Sequence, residues 1–107
     1  MNLIDVLSET GLPVAYDHFT ETDTTPIPAL PYLTYNESDS VNLMADNIVL
    51  KKISNYTIEL YTEYKTPSAE LLLENALMAN KLPFNSSQTE WIEDEKMYVK
   101  YYYVRMI

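Results

Sequence analysis

The stretch NYTIELYTEYKTPSAELLLENALMANKL, residues 55–82, contains a β-strand pattern followed directly by an α-helix pattern. Its first ten residues alternate between an apolar row and a more polar row, which is typical of a strand with one buried face and one solvent face. The apolar row is Tyr56, Ile58 and Leu60, and the polar row is Thr57, Glu59, Tyr61 and Glu63. This half of the stretch therefore predicts a strand at the surface of a core.

The second half of the stretch predicts an α-helix. Thr66 suits the N-cap, Pro67 the first helical position, and Glu70 lies near the positive end of the helix dipole. Leu71 and Met78 lie one heptad apart and are either edges of the buried stripe or a patch that faces a partner. The predicted core-facing stripe has the helical period and consists of Ala69, Leu72, Leu73, Ala76 and Leu77.

The chain begins with a pattern that predicts a short helix. Asn2 can cap its N-terminus, and Gly11 suits the left-handed position at its C-terminus. Because Gly11 is the chain's one glycine, we expect the other turns to use Asn, Asp, Ser or Pro. The residues that share the apolar face of this helix at helical spacing are Leu3, Ile4 and Leu7.

Further segments predict strands, and turn-forming or proline-rich sequences separate them. The connector at 20–31 contains three prolines, which argue against strand pairing before residue 32. The acidic segment 36–47 is a loop or a hairpin arm that ends on the turn signal Asp46–Asn47, and Ser54–Asn55 separates two later strands. The predicted strands are 12–19, 32–36, 48–53, 55–64, 82–92 and 96–106, with an acidic turn at 93–95.

The last predicted strand contains four tyrosines between residues 98 and 103. Tyrosines beside basic residues can stack on nucleic acid bases, but stacking requires a positively charged groove, and acidic residues lie immediately upstream. Alternation gives two rows that are both mostly apolar or amphipathic, as in a central strand covered by helices on one face and partly covered on the other. We therefore interpret the tyrosines as structural and expect Tyr101 and Tyr103 to pack under a helix.

The length and charge of the chain limit the number of domains and the kinds of ligand that it can bind. A chain of 107 residues predicts one domain, residues 1–107. Sixteen acidic against seven basic residues give a formal charge of −9, which disfavours binding to nucleic acid phosphates and to anionic membranes. The chain has no cysteine, no signal-peptide pattern and no apolar run long enough to span a bilayer. We expect a soluble protein that is made in a cytoplasm.

The sequence offers no recognisable catalytic or cofactor motif. His18 is the one histidine, and no serine lies in a nucleophile motif. Glu93, Asp94 and Glu95 lack the ligand spacing and the glycine of a calcium loop, so they predict a solvated turn rather than a metal site. A single glycine also argues against a phosphate-binding loop. We expect no enzymatic activity, no cofactor and no metal.

Several segments together resemble a known protein family. They are LPVAYDHF (12–19), PYLTYNESDS (31–40), NLMADNIVLKKISNYTIELYTEYKTPSAE (42–70) and EKMYVKYYYVRMI (95–107). In order and pattern they are similar to the tail-completion proteins of tailed bacteriophages and prophages of Gram-positive bacteria, also called tail terminators, head-tail joining proteins or minor capsid proteins. The resemblance covers roughly residues 3–106 and is most specific at 45–65.

This resemblance implies an α+β fold in which a mainly antiparallel sheet of four to five strands packs against two helices. It also implies a structural protein of the virion, located at the head-tail junction, which caps the tail tube as a ring, usually a hexamer. Its partners would be further copies of itself, the tail-tube protein and a head-completion protein. DNA would pass through the ring without tight binding, since six copies at −9 total about −54. No catalytic residues carry over.

Two hypotheses remain open beside this one. A small acidic protein without cysteine can be a DNA mimic that inhibits a nucleic acid enzyme, although here the acidic residues cluster in connectors.

Within the acidic segment, the apolar residues Val41, Leu43 and Met44 fit a projecting loop that contacts another subunit or the tail tube, and equally fit a short strand that folds back on the sheet. In the first case Asp39 and Asp46 would line the bore or its rim.

Overall fold

The computed structural model describes residues 2–21, 26–45 and 48–106, and for 39–45 and 48–52 it describes the backbone alone. The described part of the chain is an α+β structure with two helices and a mostly antiparallel six-stranded sheet, which confirms the predicted fold class. The elements are α1 (Leu3–Ser8), β1 (Val14–Tyr16), β2 (Tyr32–Ala45), β3 (Ile48–Thr62), α2 (Pro67–Ala79), β4 (Phe84–Ser86), β5 (Glu90–Ile92) and β6 (Met97–Met106).

The sheet has the strand order β1-β2-β3-β6-β4, and β5 also pairs with β6. β1 runs parallel to β2, and the other pairs are antiparallel. β4 and β5 lie along two successive parts of β6, so the single strand predicted over 82–92 is two short strands. β6 is therefore a central strand, as its two amphipathic rows predicted.

β3 is one continuous strand, and the predicted break at Ser54–Asn55 is wrong. Ser54 pairs with Ser40 of β2 and Met106 of β6, and Asn55 pairs with Asp39 and Arg105. Backbone pairing on both sides outweighs the turn preference of these two residues. The register of the β2–β3 pair shifts instead at two other points, between Glu37 and Asp39 and between Leu43 and Met44.

Both helices cover one face of the sheet and form the core with it. The apolar row predicted for β3 lies on this face, where Ile58 and Leu60 are fully buried. Two details of the predicted helix faces are wrong: Val6 is buried in place of the half-buried Ile4, and Leu72 is 46% exposed. The buried helical residues are Leu3, Val6 and Leu7 in α1 and Ala69, Leu73, Ala76 and Leu77 in α2.

The tyrosines of β6 divide between the two faces of the sheet. Tyr102 faces the helices and is fully buried, and it packs against Phe84 with ring centroids 5.8 Å apart. Tyr101 and Tyr103 lie on the opposite face, where Tyr103 is 48% exposed, so the prediction that these two pack under a helix is wrong. The alternation itself was correct, but it could not indicate which row meets the helices.

The helix ends use fewer side chains than predicted. Thr66 and Pro67 occupy the N-cap and first position of α2 as predicted, but the Thr66 hydroxyl donates to the Tyr64 carbonyl oxygen at 2.7 Å and does not cap the helix. Gly11 has the expected positive φ of 78°. Lys81 also has a positive φ, and it ends α2 in a Schellman arrangement, with the Leu82 amide donating to the Leu77 carbonyl oxygen.

We predict that Tyr102→Ala lowers the free energy of unfolding by about 3–5 kcal/mol, because it leaves a cavity beneath α2. Tyr103→Ala, on the opposite face, is the matched control and should cost about 1 kcal/mol or less. Urea denaturation followed by circular dichroism measures both values. Equal losses for the two variants would contradict the assigned faces of β6.

Candidate interaction surfaces

The distal parts of β2 and β3 form a two-stranded arm, defined here as residues 39–45 and 48–53. β6 ends at Met106, opposite Ser54, and β1 pairs only with residues 33–35, so in the described residues no further strand flanks the arm. At about 3.3 Å per residue, its seven β2 residues extend roughly 20 Å. The arm is thus a projecting hairpin with two open edges, which are templates for pairing with another chain.

The predicted contact residues Val41, Leu43 and Met44 lie in this arm. They are in β2, at register positions opposite Ile53, Lys51 and Val49, so the segment is a strand and not a loop. Asp39 lies at the base of the arm, opposite Asn55. Asp46 lies outside the described residues.

α2 exposes a second apolar surface, the outer stripe of Leu71, Leu72 and Met78. Leu71 and Met78 are each more than half exposed, as expected for residues that lie off the core-facing stripe. Leu72 joins them, since its position leaves it at the margin of the buried face. The outer stripe belongs to the helical layer and the arm to the sheet, so the two groups of predicted contact residues are on different elements.

The sheet face opposite the helices is polar and rich in tyrosine. The strand register places Glu59 beside Tyr101 on β6 and Thr34 on β2. The Glu59 carboxylate accepts a hydrogen bond from the Tyr61 hydroxyl at 2.5 Å and another from Asn36 Nδ2 at 3.1 Å. One of its oxygens is therefore held by a side chain of the same strand and the other by a side chain of β2.

Carboxylates dominate the electrostatics of this face. Burial raises the pKa of the Tyr61 phenol, and the hydrogen bond to Glu59 raises it further. Burial, followed by the charges of Glu59 and Glu90, raises the pKa of Tyr101, and burial together with the charge of Glu95 raises that of Tyr32. We call the surface formed by Tyr32, Glu59, Tyr61, Glu90, Glu95 and Tyr101 the acidic tyrosine face.

Charged groups under α2 are paired within the chain. Lys100 Nζ lies 2.7 Å from Glu70 Oε1, and the Tyr102 hydroxyl donates to Glu74 Oε2 at 2.9 Å. Burial raises the pKa of the Tyr102 phenol, and its hydrogen bond to Glu74 raises it further. These contacts join α2 to β6, so the residues stabilise the fold rather than offer free acid-base groups.

Residues considered for catalysis or metal binding do not converge in the described structure. His18 is exposed, and its Nδ1 lies 2.8 Å from Asp17 Oδ2. Glu93 accepts hydrogen bonds from Lys96 and Trp91 in the predicted acidic turn. The described residues contain no group of three or more His, Asp or Glu placed to hold a metal ion, and among them no helix is both long and apolar enough to cross a membrane.

Two open clefts flank the ends of β6. One, of about 430 Å³, lies where the arm leaves the sheet, and the other, of about 440 Å³, lies beside the first turn of α2. Both have mixed polar linings. The first is lined by Ser38, Asn55, Tyr56, Asn85, Tyr103, Val104 and Arg105, and the second by Lys65, Glu70, Ser87, Gln88, Thr89, Tyr98 and Lys100.

The acidic tyrosine face was not predicted as a unit. Alternation placed Glu59 and Tyr61 on the polar side of β3, but Glu90 and Tyr101 join them through cross-strand register, which the sequence does not specify. The sequence signal for this face was Glu59, a glutamate in the middle of an otherwise strand-forming, partly apolar segment. No family model matches the chain, and no curated protein does.

We predict that stability falls as the pH rises above about 10, the usual pKa of tyrosine. The phenols of Tyr61 and Tyr102 have raised pKa values in the folded state, so the unfolded chain loses these protons first and gains stability relative to the fold. The melting temperature of a Tyr61→Phe, Tyr102→Phe variant should therefore fall less between pH 9 and pH 11 than that of the parent. Tyr64→Phe, which removes an exposed hydroxyl, is the control. Parallel curves for all three proteins would contradict the prediction.

Proposed function

We propose that this chain is a structural protein of a tailed bacteriophage or prophage that caps the tail tube and joins the tail to the head as a hexameric ring. Its partners are further copies of itself, the tail-tube protein and a head-completion protein, and it is incorporated into the virion after synthesis in the host cytoplasm. The resemblance over residues 3–106 supports this function. The chain's sequence, without a recognisable catalytic motif, is consistent with a role in assembly.

The observation that carries the proposal is the projecting arm. An isolated two-stranded hairpin is at best marginally stable in water, and this arm includes Val41, Leu43 and Met44 in one strand and Ile48, Val49 and Leu50 in the other. Apolar residues on an arm outside the main sheet are accounted for if another subunit or the tail tube covers them. The outer stripe of α2 supplies a second apolar surface for such contacts.

The charge of the chain supports passage of DNA without tight binding. Each copy carries −9, so a ring of six copies repels phosphates rather than displacing their counterions. Asp39, at the base of the arm, and Asp46 would then line the bore or its rim. Several other carboxylates are engaged within the chain, for example Glu70, Glu74 and Glu93, which is a poor arrangement for a mimic that displays acids to an enzyme.

The proposal predicts an assembled parent protein and an arm variant that fails to assemble. Light scattering should give about 74 kDa for the parent, six times the 12.4 kDa chain. Leu43→Asp, Met44→Asp should remain folded, with a melting temperature near the parent's, yet stay monomeric and fail to complete tails in an assembly assay. Ser8→Asp, Ser68→Asp adds the same charge at exposed polar positions and should assemble normally.

Other outcomes separate the alternatives. If the arm variant unfolds, the segment belongs to the core and not to a contact. If it folds and assembles as the parent does, the contact lies elsewhere, and Leu71→Asp, Met78→Asp on the outer stripe becomes the next variant. A parent chain that stays monomeric and instead inhibits a nucleic acid enzyme would replace the proposal with the DNA-mimic hypothesis.

A further inference from the structure

The six residues that define the acidic tyrosine face include three carboxylates and no basic side chain. The strand register places Glu59 beside Tyr101 and Glu90 beside Val99 of the same row of β6, and Glu95 lies in the turn between β5 and β6. Among the described residues of β6, Arg105 is basic and lies on the same side of the sheet, four residues from Tyr101. Its Nε donates to Asn55 Oδ1 at 3.1 Å, away from the three glutamates. The face is thus suited to a positively charged occupant.

The chain itself contains a matching basic element. Two of its seven basic residues, Lys51 and Lys52, are adjacent in the arm, at register positions opposite Leu43 and Asn42. Two others already have carboxylate partners within the chain, since Lys96 pairs with Glu93 and Lys100 with Glu70. Because neighbouring residues of a strand lie on opposite faces, either face of the arm presents one lysine position.

The arm of one copy cannot reach the acidic tyrosine face of the same copy. Lys52 and Glu59 lie in the same continuous strand, seven residues apart, which corresponds to about 23 Å. The arm and the face are therefore separate surfaces of one molecule, and the lysines of the arm are opposite in charge to the glutamates of the face. A contact between two different surfaces is heterologous, and repetition of such a contact closes into a ring when the rotation between copies allows it.

We propose that the arm of one copy docks on the acidic tyrosine face of the next copy, with the lysine of its docked face, Lys51 or Lys52, against Glu59, Glu90 and Glu95. This contact rests on the proposed ring and specifies how its subunits join. Opposite charges set the register of the contact, and the tyrosine rings offer apolar area as well as cation–π contacts to a lysine. The apolar residues of the arm are buried by the same docking.

Charge reversal tests the contact. Lys51→Glu, Lys52→Glu should weaken self-association at least about tenfold, and so should Glu90→Lys, Glu95→Lys on the opposing surface. An equimolar mixture of these two variants should assemble again. In a ring in which the two variants alternate, the acidic arm of one meets the basic face of the other, and the basic arm meets the acidic face. Lys65→Glu, Lys81→Glu makes the same change of charge away from both surfaces and should assemble as the parent does. Light scattering measures all four samples.

A disulfide trap gives a second measurement, since the natural chain has no cysteine. Within one copy, Glu90 lies level with Tyr61, because Tyr61 pairs with Val99 and Val99 pairs with Glu90. Residue 52 is nine residues from Tyr61 along β3, so residues 52 and 90 are roughly 30 Å apart and a disulfide cannot bridge them. Lys52→Cys mixed with Glu90→Cys should therefore give a dimer of the two different chains under mild oxidation. Lys81→Cys mixed with Glu90→Cys is the control.

The outcomes distinguish this contact from the ring itself. If the parent assembles but Lys51→Glu, Lys52→Glu assembles equally well, or the charge-reversed mixture stays apart, the arm-to-face contact is wrong and the ring stands. Mixed dimers that form no faster than in the control pair would overturn it in the same way. A parent chain that remains monomeric at all concentrations would overturn both the ring and the contact.

Discussion

β3 is paired on both sides, and this pairing sets both faces of the sheet. Between residues 54 and 61, β3 bonds to β2 along one edge and to β6 along the other, so its backbone groups are satisfied without solvent. This fixes Ile58 and Leu60 toward the helices and Glu59 and Tyr61 away from them. The core and the acidic tyrosine face are thus two sides of one strand.

The same strand continues beyond the sheet and becomes half of the arm. Because β3 has no break at Ser54–Asn55, the arm is an extension of the core strand rather than a loop tethered to it. A fold of this kind supports many functions, so it is the arm and the acidic tyrosine face, and not the fold class, that favour the proposed assembly.

Local signals in the sequence were sufficient for much of the fold. The helical period of 65–82 and the alternation of 55–64 predicted α2 and the core part of β3, because both patterns act over a few residues. Tertiary pairing decided what they missed: the continuity at Ser54–Asn55, and which row of β6 meets the helices. The acidic tyrosine face required the register of four strands, β2, β3, β5 and β6, while the outer stripe residues Leu71 and Met78 were visible from helical spacing alone.

Amide hydrogen exchange tests the central claim, that the arm is a strand extension which becomes covered only between copies. The same chain can be measured by mass spectrometry above and below the concentration at which the proposed ring would form. We expect residues 54–62 to be protected in both states, whereas 39–45 and 48–53 should exchange readily in the monomer and at least about tenfold more slowly in the assembly. Equal exchange of the arm in both states, or an arm already as protected in the monomer as 54–62, would contradict this claim.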